Sequence, residues 1–96
     1  MIYHLILSPD AIGQIRSAVR WYVRKDINLP RRFSAELNET LDRIAENPKQ
    51  YPLVDDLIRR AVMKRFPYSV YFTFSAGTVY VLRILHQRQL NSPSRP

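Results

Sequence analysis

Along the chain the apolar positions change their spacing, and each change marks an element. Ile2 to Leu7 is a short apolar run with β-branched and aromatic members, which predicts a strand. Ser8-Pro9-Asp10 then reads as a helix start, with Ser as N-cap, Pro at the first helical position and Asp at the positive end of the dipole. Ala11, Ile12, Ile15, Ala18, Val19 and Tyr22 keep helical spacing. Arg16, Arg20 and Arg24 fall on another, solvated face. After a connection over Asp26 to Leu29, Pro30 opens a second helix whose apolar stripe is Phe33, Leu37, Leu41 and Ile44. Arg32 with Glu36 and Glu39 with Arg43 are spaced for ion pairs on its outer face. Asn47-Pro48 stops it, so the two helices form an antiparallel hairpin.

Beyond the loop "PKQYPLVDD" the period changes to two. Ile58 to Phe66, Tyr68 to Phe74 and Val79 to Leu85 read as three consecutive strands. Ser75-Ala76-Gly77-Thr78 joins the last two, with Gly to take positive φ. Alternation places Tyr68, Val70, Phe72 and Phe74 on one face, and Val79, Val81, Arg83 and Leu85 together opposite Tyr80, Leu82, Ile84 and His86. The order is β-α-α-β-β-β. A helical hairpin and a mostly antiparallel sheet each have one apolar face to hide, so the expected fold is α+β and two-layer, the hairpin covering one sheet face and the other left for binding. Residues 1–90 form a single domain in this reading, and "NSPSRP" at 91–96 is a disordered tail.

Charge adds what periodicity does not. The net charge is +7, and residues 1–56 hold eight cations and all eight acids. The whole excess therefore lies in residues 57–96, where Arg59, Arg60, Lys64, Arg65, Arg83, Arg88 and Arg95 meet no acid. Such a segment attracts an anionic partner. The stretch "RRAVMKRFPYSVYF" concentrates four of these cations just before an aromatic strand. With no cysteine, disulfides and thiolate metal sites are excluded. No apolar run approaches membrane-spanning length and no signal peptide is visible, so a cytoplasmic protein is expected.

Candidate chemistry is sparse. His4 and His86 have no ligand-like spacing, so no metal is expected, and no phosphate loop or other cofactor motif is present. Ser8 is explained as a cap, and Asp55 and Asp56 as offsets to neighbouring arginines. One catalytic reading survives, RNA cleavage by 2′-hydroxyl attack, which needs proton-transfer groups and cations around the developing phosphorane. Arg59, Lys64, Arg83 and His86 are its candidates, while Tyr68, Tyr71 and Tyr80 are also explained by sheet packing.

The chain resembles the RelE/ParE superfamily of bacterial type II toxins, over roughly residues 2 to 88 and most closely in its ParE branch. The resemblance is carried by "LSPDA", by "WY" in the first helix, by "ENP" ending the second, by "RRFPYSVYF" and by "RILHQR". It implies a helical hairpin on an antiparallel sheet, and a growth-inhibiting toxin neutralised by an antitoxin with an acidic segment that folds on binding. RelE-like members cut mRNA on the ribosome and usually carry a Tyr or His near the C-terminus, whereas ParE-like members poison DNA gyrase. Here no tyrosine follows His86, in line with the ParE branch. The resemblance and the charge together nominate Arg59, Arg60, Lys64, Arg65, Tyr68, Arg83, His86 and Arg88 for antitoxin or target binding. RNA cleavage and a catalytically inert basic binding module are the alternatives.

Overall fold

The computed structural model describes residues 2–90. Strand β1 (His4–Leu7) leads into helix α1 (Pro9–Lys25), helix α2 (Leu29–Glu46) and a single 3₁₀ turn over Pro48–Gln50. Strands β2 (Arg59–Val62), β3 (Tyr68–Ser75) and β4 (Thr78–His86) follow, and a short helix α3 (Gln87–Leu90) closes the described chain. The sheet runs β1-β4-β3-β2, antiparallel except where β1 lies parallel to β4. This is the expected β-α-α-β-β-β order, with the hairpin on one face. The tail expected at 91–96 lies outside the described residues.

Both helices form where the pattern placed them. Ser8 caps α1, its Oγ accepting from the Ala11 amide at 3.0 Å. Phe33, Leu37, Leu41 and Ile44 of α2 are all buried, as the stripe required. On α1, Ala11, Ala18 and Tyr22 are buried while Ile12 stays exposed. Tyr22, Phe33, Phe66 and Tyr68 meet in one aromatic cluster with centroids 5.1 to 6.3 Å apart. Edge-to-face and tilted contacts of this kind add to area burial, and here they join both helices to β3 and the loop before it.

Three local features depart from the sequence reading. The basic strand is only four residues long, and 63–67 turn away from it. The carboxylate of Glu36 on α2 accepts the backbone amides of Lys64 and Arg65, which takes their donors out of the sheet. Glu36 thereby serves the loop and forms no ion pair with Arg32. The turn between β3 and β4 is the expected Ser75–Thr78 hairpin, with positive φ at Ala76 (51°) as well as Gly77 (81°), the handedness that matches strand twist.

The third departure moves side chains across the sheet. Tyr71 pairs with Arg83 but Phe72 pairs with Val81, so Leu82 is an extra residue in β4. A bulge of this kind shifts the alternation by one. Val79, Val81 and Ile84 are consequently all buried against the hairpin, and Arg83 stands on the open face with Tyr71. The expected grouping of Val79, Val81, Arg83 and Leu85 holds only up to Val81. The bulge is secured from α1: Ser8 Oγ donates to the Leu82 carbonyl at 2.7 Å, and Gln14 Oε1 accepts from the Ile84 amide at 2.6 Å.

Candidate functional site

The sheet divides the nominated residues into separate groups. Arg59 sits on the helix-covered side of β2, at the rim. Its Nη1 donates to the Tyr51 carbonyl at 2.6 Å and to that of Lys49 at 3.4 Å, and its guanidinium lies 5.6 Å from the Phe74 ring centroid. This arginine ties the loop after α2 to the sheet.

Arg60 alternates to the open face. Arg60 pairs with Tyr71 across β2–β3, and Tyr71 pairs with Arg83 across β3–β4, so the three form one cross-strand row. Neighbours in such a row are within side-chain reach. The row is basic at both ends with a phenol between. The Arg60 Nε is buried without a hydrogen-bond partner among the described residues. Lys64 and Arg65 lie in the β2–β3 loop with exposed side chains, their backbone amides held by Glu36 of α2. No ion pair engages Arg60, Lys64, Arg65 or Arg83 among the described residues. Asp55, expected to offset them, accepts from the Asp56 amide in its own turn.

Tyr68 and His86 belong to the other face. Tyr68 is only 8% exposed, in the aromatic cluster, and the His86 ring meets it edge-on at 5.0 Å. Burial raises the Tyr68 hydroxyl above its usual pKa. Burial, then the Arg88 charge, holds His86 below the usual histidine range. Its Nδ1 accepts from the Arg88 amide at 2.9 Å, so the neutral ring carries its proton on Nε2. Arg88 itself is exposed on α3.

Tyr22 gives this region a measurable signature. Burial, with the Tyr68 phenol beside it, pushes its pKa from 10.0 to about 12. A folded-state pKa above the unfolded one means that the neutral phenol stabilises the fold. That contribution is complete below pH 10 and is lost as pH rises toward about 12. Alkaline unfolding followed by circular dichroism should therefore fall within this window. Tyr22→Phe, which cannot ionise, should move the midpoint upward relative to its own stability at neutral pH.

Two hollows adjoin these groups. A groove of about 650 Å³ crosses the open face, lined by Ile58, Tyr71, Leu82 and Leu85 with Asp10 and Asp55 at its margin. A cleft of about 780 Å³ lies between α1 and the end of β4. Arg83 and Leu85 line both. The cleft is walled by Gln14, Ser17 and Trp21, none of them nominated as a site residue from the sequence. Their signal was present: positions 14, 17 and 21 recur at helical spacing beside the apolar stripe.

The four residues of the RNA-cleavage reading are not gathered. Arg83 and His86 both line the cleft between α1 and β4, with Tyr68 and Arg88, whereas Arg59, on β2, is engaged by loop carbonyls and Lys64 is on the β2–β3 loop. No group of three or more His, Cys, Asp or Glu suited to a metal is formed among the described residues.

The family described as "ParE toxin of type II toxin-antitoxin system, parDE" matches residues 5–91. No curated protein sequence matches the chain. Among solved structures, one described as the chromosomal ParDE TA system from P. aeruginosa superposes with a TM-score of 0.78 at 17% identity, covering 88% of this chain and 96% of that one. At that identity the likeness shows the fold.

Proposed function

Because the chain belongs to the ParE toxin family of type II toxin–antitoxin systems, we propose that it arrests growth by binding DNA gyrase and that a cognate antitoxin neutralises it. The observation that carries this reading is the basic row Arg60–Tyr71–Arg83 on a sheet face that the hairpin leaves open, with exposed Lys64 and Arg65 in the adjoining β2–β3 loop. Charges held there without internal partners favour fast, oriented encounter with an acidic segment. The antitoxin is proposed to supply that segment, folding as it binds in a toxin–antitoxin hetero-oligomer.

The target reading rests on binding without chemistry. Transfer of a proton at a scissile phosphate needs base, acid and cations around one point. Here Arg59 is committed to loop carbonyls, Tyr68 to the core, and Nδ1 of His86 to a backbone amide. The site of action is proposed to be the cytoplasm, where gyrase is found. No helix among the described residues is long and apolar enough to cross a membrane.

The test is a supercoiling assay with purified gyrase and purified toxin. Inhibition with accumulation of cleaved DNA complexes is expected, relieved by the antitoxin. Normal supercoiling at high toxin excess would refute the gyrase reading. Codon-positioned mRNA cuts after induction would replace it with RNA cleavage.

A further inference from the structure

The cleft beside α1 exists because β1 is shorter than its partner. β1 ends at Leu7, opposite Val81, and β4 runs on to His86. Ser8 and Gln14 close the first part of that bare edge through Leu82 and Ile84. Beyond them the helix and strand enclose a hollow of about 780 Å³, a size suited to a small ligand. Its floor is apolar, from Ala18, Ile84 and the Tyr68 ring, and Arg83 and Arg88 stand at its rim.

Two features specify an occupant. The first is charge. No carboxylate lines the cleft, and two guanidiniums do. Planar guanidiniums suit the oxygens of phosphate. The second is Trp21, an indole left 50% exposed in the cleft wall. The Lys25 ammonium lies 4.3 Å from its ring centroid. A half-exposed indole offers a π face on which a flat heterocycle stacks.

We propose that this cleft binds a nucleoside phosphate, the base stacked on Trp21 and the phosphate held by Arg83 and Arg88. An acidic peptide would satisfy the arginines and leave the indole wall unused. An apolar side chain would cover the floor and leave the guanidiniums without a counter-charge. The same chemistry is presented by a free nucleotide and by a phosphorylated strand end, where aromatic stacking is likewise sequence-tolerant.

Trp21 is the one tryptophan of the chain, so its fluorescence reports on the cleft directly. Purified full-length toxin titrated with AMP should show saturable quenching. Adenosine and inorganic phosphate, tested alone, should each bind at least tenfold more weakly. The double variant Arg83→Gln/Arg88→Gln should lose AMP affinity at least tenfold with an unchanged melting curve. Trp21→Ala, followed by calorimetry, should lose it too. A 5′-phosphorylated oligonucleotide that binds as AMP does supports a single-nucleotide site. Affinity that rises with its length assigns the nucleotide to a nucleic acid strand. Absence of saturable quenching at millimolar AMP overturns the proposal. So does phosphate binding as tightly as AMP, or AMP affinity untouched in both variants. None of these readings depends on gyrase or on an antitoxin.

Discussion

Reversing Lys64, Arg65 and Arg83 to glutamate together should weaken antitoxin binding a hundredfold or more. All three side chains are exposed and make no ion pair among the described residues, so the variant should keep the wild-type melting temperature. An exposed pair contributes at most about 1 kcal/mol, and reversal replaces attraction by repulsion. Three such changes give roughly 3 kcal/mol, which corresponds to about a hundredfold in Kd. The loss should be largest at low salt and shrink as salt rises, since exposed charges are screened. Calorimetry or surface plasmon resonance at several ionic strengths measures this. Unchanged affinity and an unchanged salt slope would remove the basic face from the interface. Arg59→Ala serves as the contrast. Its guanidinium is engaged by the Tyr51 carbonyl, so it should lower thermal stability with little effect on the salt slope.

Glu36→Ala is expected to cost about 2 kcal/mol, in line with hydrogen bonds to a charged group. The carboxylate accepts the amides of both Lys64 and Arg65, so its removal frees two donors at once. For a domain of this size that lowers Tm by roughly 10 °C. Glu36→Gln keeps one acceptor oxygen and should lose about half as much. Hydrogen exchange at the Lys64 and Arg65 amides supplies the local readout, with protection lost in the alanine variant. A Tm within a degree or so of wild type would show that the clasp is replaced by water at no cost. The same variant bears on the proposed function, because this clasp positions the loop that carries two of the cations proposed to meet the antitoxin.

Much of the fold was legible because helix signals are local. Ser8-Pro9-Asp10 starts α1 and Pro30 starts α2 for reasons contained in a few residues, and both apolar stripes follow from the 3.6-residue period. The strand order within the last forty residues was legible too. The face of Arg83 was not. A period-two reading carries side chains through a strand without interruption, and nothing around Leu82 announces an extra residue. Likewise Glu36 was read with Arg32, its neighbour in the helix, although its partners lie 28 and 29 residues away.

The nominated surface divides along the same line. Its composition was visible as a segment of seven cations with no acid. Its geometry was decided by the sheet, which turned Arg59 toward the loop carbonyls, placed Arg60 and Arg83 on either side of Tyr71, and buried Tyr68. The stretch "RRAVMKRF" is accommodated because β2 is an edge strand, where charge discourages unwanted pairing. By itself the sequence determined the elements, their order, the family resemblance and the segregation of the chain's own positive charge, since these depend on local spacing and on sums over residues. Only the tertiary structure decided which cations share a face, and that Trp21 meets Arg83 and Arg88 across a cleft. Those relations depend on strand register and on a bulge held by Ser8 and Gln14 from a distant helix, contacts that no local pattern encodes.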